Sequence, residues 1–364
     1  MNKYFSLLVL ALSIVLVSCS QGYKIDVNFA DHSFDGKMAY LTNYDSGDTI
    51  DSATVTEKHL ALEGNVDTAY YARLIVDGKR FGMIVEPGEI TVDWGEKIVA
   101  TGTPLNDKLN DVNNQMGNIE NEWEKLAAQF KAKEITEEEA DKLNTELENK
   151  QLDVFYKSYN DNKDNAVGAW AFTNYLIYKQ FNTAQLDSIL ATAPNNYRNL
   201  KRVQKAMSDA QAVEKTAEGK KFTDFEMKDP NGKVEKLSDF VGNDGKFTLV
   251  DFWASWCGPC RAEIKGALTQ LYNKYNGKQL QVIGVAVWDK PEDTKAAVEQ
   301  MSIPWHIMMG DHYMTEPTDL YGIAGIPHIM LIDPNGVIVM RGLQGDELVA
   351  AVEKALTTAP AKKI

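Results

Sequence analysis

Two cysteines separated by two residues, Cys257 and Cys260, follow an apolar, β-prone run, Phe247 to Phe252, that carries one carboxylate, Asp251. Arg261, Ala262, Glu263 and Ile264 then open a helical pattern, so the spacing predicts a strand that delivers a dithiol to a helix N-terminus. The free N–H groups and positive dipole end of a first helical turn stabilise an anion, and so favour the thiolate of Cys257 over its thiol. The thiolate is the attacking species in disulfide exchange. With only Gly258 and Pro259 between them, Cys260 is placed to resolve a mixed disulfide formed at Cys257. Pro259 suits a first turn, where no N–H is needed. Asp251 stands six residues before Cys257, in the middle of the strand pattern. A carboxyl group desolvated there resists ionisation, which fits it to take and return the proton of Cys260 as the disulfide opens and closes. A Cys-x-x-Cys pair is also half of a zinc site, but no second pair and no closely spaced histidine pair accompanies it, so no metal site is expected.

The elements that must position this stretch belong to a chain of 364 residues, long enough for two or three domains, with 44% hydrophobic and 25% charged content typical of a globular protein. Its net charge of −14, with no Lys/Arg cluster, argues against a nucleic-acid partner. At the N-terminus Lys3 precedes an apolar run, Phe5 to Val17, which ends in Leu16-Val17-Ser18-Cys19. The run is short for a membrane span and reads as a removable signal peptide over residues 1–18. Leu-Val-Ser-Cys resembles a bacterial lipobox, which implies cleavage before Cys19 and lipidation of that cysteine. The protein is then expected in the cell envelope, anchored to a membrane through Cys19 and facing the periplasm. The three thiols divide into a lipid-bearing Cys19 and the Cys257–Cys260 pair, leaving none for a structural disulfide. An exported chain without spare thiols suits a dithiol worker in an oxidising compartment. A reductase there needs an electron donor other than the cytosolic pool, expected in the membrane.

Asp251-Phe252-Trp253-Ala254-Ser255-Trp256-Cys257-Gly258-Pro259-Cys260 closely resembles the thioredoxin active site. The resemblance implies that Cys257 is the nucleophile, Cys260 the resolving thiol, Asp251 the buried proton acceptor and Trp256 the ring beside the disulfide. Gly258 and Pro259 would then lie where substrate docks, and no cofactor beyond the redox-active Cys257–Cys260 disulfide is implied. The surrounding pattern agrees. A hairpin over Phe222 to Leu237, the dithiol strand, a helix from Arg261 to Tyr275, a buried parallel strand Gln281 to Trp288, a helix Glu292 to Met301, a hairpin Ile329 to Met340 and a last helix Glu347 to Leu356 are expected. This order is similar to the membrane-anchored thioredoxin-like proteins of the TlpA and ResA type, over about Phe222 to Leu356. That family has a cis-proline opening the hairpin strand, and Ile326-Pro327 matches it by position. A cis bond there would expose the backbone of Ile326 for strand-like pairing with a substrate peptide. Many of the anchored reductases have a neutral residue in place of Asp251 and another dipeptide between the cysteines. Here both look like thioredoxin proper, which points to a reducing role.

Before this domain the pattern has period two from Tyr23, with turns at Asp35-Gly36, Asp77-Gly78 and Pro87-Gly88, and predicts a small antiparallel β domain over 19–104. Val85 to Ile90 and Thr101 to Asn106 resemble the β-rich domain of unknown function that precedes thioredoxin domains in some bacterial lipoproteins. Residues 105–217 read as a helical spacer of four or five helices. Thr136 with Glu139 fits a capping box, and Trp123, Leu126 and Phe130, like Leu152, Phe155, Tyr156 and Tyr159, recur at helical spacing as packing stripes. Residues 218–364 form the α/β thioredoxin-like domain.

The reading that results is a membrane-anchored periplasmic thiol-disulfide oxidoreductase that reduces disulfides of exported proteins, apocytochrome cysteines among them. A copper chaperone or binding module that uses the dithiol as a ligand is the alternative from another class, and a scaffold role for the first 200 or so residues is a third. A peroxidase reading meets the absence of the threonine that precedes a peroxidatic cysteine by three residues; Ala254 stands there.

Overall fold

The computed structural model describes residues 21–311 and 313–358. The expected signal peptide and the lipidation site Cys19 lie outside them. The described residues form two compact units, one of residues 21–179 with 193–202 and one of 180–192 with 203–358. The helices expected as a spacer over 105–217 are thus shared out between the two.

In the first unit, eight strands run in chain order: β1 (Gln21–Phe29), β2 (Met38–Asn43), β3 (Thr49–Thr54), β4 (His59–Val66), β5 (Tyr70–Val76), β6 (Lys79–Val85), β7 (Gly88–Trp94) and β8 (Ile98–Thr101). They make two four-stranded sheets, ordered β4-β1-β7-β8 and β3-β2-β5-β6. Alternation along each strand turns Ile25, Val27, Leu41, Leu62, Leu74, Ile90 and Val92 into one shared core between the sheets. Asp77 and Gly78 both adopt positive φ, the two-residue turn that matches strand twist and closes the β5–β6 hairpin. Pro87-Gly88, by contrast, carries the chain from one sheet to the other. All pairings are antiparallel except that of β1 with β7, which is parallel.

Three α-helices lie wholly within this unit: α1 (Pro104–Lys131), α2 (Glu137–Asp161) and α3 (Ala166–Lys179). Leu109 and Val112 of α1 and Ala166 and Val167 of α3 pack against Ile84, on the side of the β6 sheet away from the shared core. The Thr136–Glu139 capping box forms with both of its bonds. The packing stripes are only partly covered: Phe155 and Tyr159 are buried, whereas Phe130 and Tyr156 remain about half exposed, at 49% and 47%. Helical spacing identified their common faces, but α1 and α2 extend beyond what α3 and the sheet cover.

The joint between β6 and α1 explains two segments of sequence. The Glu86 carboxylate accepts from the backbone N–H groups of Leu105 (2.7 Å) and Asn106 (3.3 Å), satisfying free donors at the start of α1. Asn106, fully buried, accepts from Ile84 N (2.9 Å) and donates to Ile84 O (2.8 Å), as a neighbouring strand would. Gly102 has φ +97, and a Cβ there would lie 2.4 Å from Glu89 O.

The second unit contains α4 (Thr183–Thr192), α5 (Lys201–Lys215, its first two residues in the other unit), β9 (Glu226–Lys228), β10 (Val234–Lys236), β11 (Phe247–Trp253), α6 (Gly258–Glu263), a π turn (Ile264–Leu268), α7 (Thr269–Tyr275), β12 (Leu280–Ala286), α8 (Pro291–Met301), β13 (His306–Met309), α9 (Glu316–Tyr321), β14 (His328–Ile332), β15 (Ile338–Arg341) and α10 (Gly345–Thr358). Its seven strands are ordered β10-β9-β13-β12-β11-β14-β15. β11, buried at every residue, lies between a parallel β12 and an antiparallel β14. One face of the sheet packs Leu249 and Trp253 with the helices through Ile264, Leu268, Ala297, Leu348 and Val352. The other packs Val250 and Phe252 with Phe225, Tyr321 and Ile323. This is the thioredoxin-like α/β architecture, with the β9–β10 hairpin and β13 added at one side. Among the described residues no helix is long and apolar enough to cross a membrane.

Replacing Asn106 by Ala leaves the Ile84 N–H and C=O unpaired in the interior. Urea unfolding of this variant is expected to show a loss of about 1–3 kcal/mol, the cost of stranded buried polar groups; an unchanged midpoint would show that the amide adds nothing to the joint.

Candidate active site

The dithiol sits where β11 ends. Cys257 caps α6 and is joined to Cys260 in a disulfide with a Cα–Cα distance of 5.3 Å. Its Sγ accepts from the backbone N–H of Cys260 at 3.2 Å, the interaction by which a helix N-terminus favours a sulfur anion once the disulfide opens. Cys257 is 4% exposed and Cys260 fully buried, which fits the first to attack and the second to resolve. Gly258 and Pro259 form the exposed lip over the pair, with Pro259 in the first turn of the helix. Across from them the Ile326–Pro327 bond is cis, and the Ile326 carbonyl lies 3.8 Å from Cys257 Sγ.

Asp251 lies beneath. Strand alternation puts it on the same face of β11 as Leu249 and Trp253, the face that also holds both cysteines. It is fully buried, and neither carboxyl oxygen has a hydrogen-bond partner. Burial first, and the charge of Glu263 second, push its carboxyl well above the usual carboxylate range. A carboxyl that resists ionisation in this way can give up or take a proton as the sulfurs exchange. Gly284 stands opposite Asp251 on β12, where a Cβ would meet Ile307 Cδ1 at 2.6 Å and Trp253 Nε1 at 3.0 Å.

The structure also surrounds the assigned residues, Trp256 among them, with others the sequence reading did not assign. Glu263, one turn after Cys260, accepts from Gly345 N at the start of α10 with both oxygens, at 3.1 Å each. Its i+3 spacing from Cys260 was the available signal. The Trp256 ring, 61% exposed, donates its Nε1–H to the Trp288 carbonyl at 2.9 Å. Asp289, the next residue, accepts from Ser255 N at 2.6 Å, and Arg261 donates to Ser255 O at 3.2 Å. His328, adjacent to Pro327, shares the strand face of Met330 and Ile332 and so lies on the side of the sheet away from the sulfurs. Its Nε2 is buried without a partner, and burial, with the Arg341 charge adding, pushes the imidazole down to about 4. Among the described residues there is no group of three or more His, Cys, Asp or Glu side chains placed to hold a metal ion.

The two buried groups tilt stability in opposite directions. The carboxyl of Asp251 titrates higher in the folded chain than in the unfolded one, so the folded state holds the extra proton and stability falls as pH rises from the ordinary carboxylate range through the raised value. The imidazole of His328 titrates lower when folded, so stability falls as pH drops from near 6.5 toward about 4. Denaturation profiles are therefore expected to show Asp251→Asn gaining on the wild type with increasing pH, and His328→Gln losing less than the wild type on acidification. Parallel profiles for either variant would remove that group from the balance.

Residues 219–341 match the AhpC/TSA family, and residues 23–109 match a family described only as a domain of unknown function (DUF4369). The thiol:disulfide interchange protein HelX of Rhodobacter capsulatus is 32% identical over 113 residues, 31% of this chain and 61% of that protein. The thiol-disulfide oxidoreductase ResA of Bacillus thuringiensis is 28% identical over 143 residues, 39% of this chain and 79% of that one. Among solved structures, the thioredoxin domain of a thiol-disulfide oxidoreductase from Bacteroides vulgatus is 35% identical, covering 38% of this chain and 98% of its own, with a TM-score of 0.36. The C-terminal domain of this chain, which matches the AhpC/TSA family over residues 219–341, is a thioredoxin-like thiol-disulfide oxidoreductase.

Proposed function

We propose that the whole protein is a lipid-anchored, periplasm-facing reductase of disulfides in exported proteins, apocytochrome cysteine pairs among them. The observation that carries this reading is the Cys257–Cys260 disulfide at the start of α6, on the same sheet face as a buried, unpaired Asp251. In the reduced state the Cys257 thiolate attacks one sulfur of a substrate disulfide. That bond breaks, the other substrate sulfur leaves as a thiolate, and a mixed disulfide with Cys257 remains. Asp251, left ionised when it gave its proton to Cys260 on opening of the enzyme disulfide, now takes that proton back. The Cys260 thiolate then attacks Cys257 Sγ, the second substrate sulfur leaves, and two electrons have passed to the substrate. A membrane-side dithiol donor returns them, and Asp251 gives its proton back to Cys260.

Pro327, Gly258 and Pro259 frame the sulfurs, and the Ile326 backbone, its carbonyl 3.8 Å from Cys257 Sγ, supports strand-like docking of an extended substrate segment. The anchor rests on Leu16-Val17-Ser18-Cys19 and is tested separately by labelling with a radioactive fatty acid in cells, where Cys19→Ala is expected to lose the label.

Turnover is checked by insulin reduction with dithiothreitol as the electron source. Cys257→Ser is expected to abolish it, and Asp251→Asn to slow it at neutral pH by about tenfold or more, within what general acid–base help supplies. Cys260→Ser is expected to accumulate mixed disulfides with envelope proteins. Absence of insulin reduction together with tightly held copper in anaerobically purified protein would replace this reading by that of a metal carrier.

A further inference from the structure

The first unit holds a cavity that contains none of the dithiol residues, and every residue lining it belongs to that unit. Its volume of about 630 Å³ is that of a small-molecule pocket. It lies at one end of the β3-β2-β5-β6 sheet, where the turn after β2 and the start of β5 meet the loop between α2 and α3. The walls are aromatic: Tyr70 and Tyr71 from β5, Trp170 from α3, and Tyr44 and Tyr197. Tyr71 lies flat against Trp170, with ring centroids 5.0 Å apart and planes at 7°, and meets Tyr44 edge-on at 5.1 Å.

Hydrogen bonds fix the frame behind these rings. The Tyr197 hydroxyl donates to Lys163 O at 2.8 Å, and that of Tyr44 to Asn174 Oδ1 at 3.2 Å. The Asp45 carboxylate is spent on the backbone N–H groups of Lys201 and Arg202, each at 2.9 Å, and the Arg202 guanidinium sits 3.6 Å from the centre of the Tyr44 ring. A frame braced in this way has little ordering cost left to meet when a ligand enters.

The lining chemistry narrows the ligand. Lys163 and Asp164 bring one charge of each sign, so nothing there selects a phosphate or a free carboxylate. A wholly apolar ligand would leave the polar rim unmatched: among the described residues, the side chains of Thr68, Asp164 and Asn196, all exposed, make no hydrogen bond. The cavity sits at strand ends rather than along a strand edge, which gives an extended peptide no ladder to join. A molecule with C–H faces for the rings and hydroxyl groups for the rim satisfies both halves of the lining, the hydroxyls donating to Asp164 and accepting from Asn196. We propose that this cavity binds a short neutral saccharide, its ring packed on the aromatic walls and its hydroxyls on Asp164 and Asn196. The site is an addition to the disulfide exchange described above and does not depend on it.

The test uses the full chain. Titration calorimetry and saturation-transfer NMR with N-acetylglucosamine, chitobiose, maltose and cellobiose are expected to detect millimolar or tighter binding of at least one of them, with saturation passing from aromatic protein protons to the sugar ring. Trp170→Ala is expected to weaken that binding tenfold or more. Asp164→Ala and Asn196→Ala, at exposed positions, are each expected to weaken it roughly threefold to tenfold, the size of one hydrogen bond. All three variants are expected to reduce insulin at the wild-type rate, since none belongs to the dithiol site. If Trp170→Ala does not fold, the two exposed variants decide alone. Failure of every one of these sugars to bind overturns the proposal, as does binding that both rim variants leave unchanged. Preference for pyrophosphate, or binding of decanoate or a phenylalanine tripeptide alone, assigns the cavity to another ligand class and overturns it as well.

Discussion

The C-terminal domain depends on the enclosure of one ionisable group. Asp251 occupies a central strand with neighbours on both sides, and its two oxygens meet no donor. A charge there would be opposed by the full cost of desolvation, so the fold tolerates the residue by keeping its proton. The surroundings serve this condition. Gly284 lets Ile307 and the Trp253 and Trp305 indoles close over β12, and β14 seals the other flank through Ile329. A group that surrenders its proton only reluctantly, beside sulfurs that exchange protons with each bond made or broken, couples the redox state of the domain to its folding energy.

How much of this was legible follows from distance along the chain. Cys257, Cys260 and Asp251 fall within ten residues, so strand alternation and helix capping alone placed them on one face and at one helix end. Trp288 was expected to end the buried strand from Gln281, but β12 stops at Ala286; Asp289 and Gly345 come from segments whose local patterns say only loop and turn. Polar edge strands were equally silent: β3, Thr-Ile-Asp-Ser-Ala-Thr, buries none of its residues fully and shows no period to read. Apolar spacing in α1 and α2 gave the correct faces but not their partners, which is why Phe130 and Tyr156 were expected inside and are not. The division of the helices between two units has the same origin, since periodicity describes a face and not the body it will meet.

In the first unit, the side chain of Asn106 does what an extra strand would do for Ile84, and Glu86 does what a capping residue inside the helix would do for α1. Both are polar groups spent on a joint, where a small shift of α1 would strand several of them at once. Such joints make a β-sandwich and the helices beside it unfold together rather than piecemeal.

The parallel pairing of β1 with β7 has a consequence for the order of assembly. β1 is the first described strand to be synthesised, yet its partners are β4, from His59, and β7, which ends at Trp94. Until Trp94 has emerged, the edge of β1 opposite β4 has no partner strand along its whole length. The sandwich therefore has high contact order and closes late and slowly, and one edge of β1 stays open to mispairing until β7 arrives.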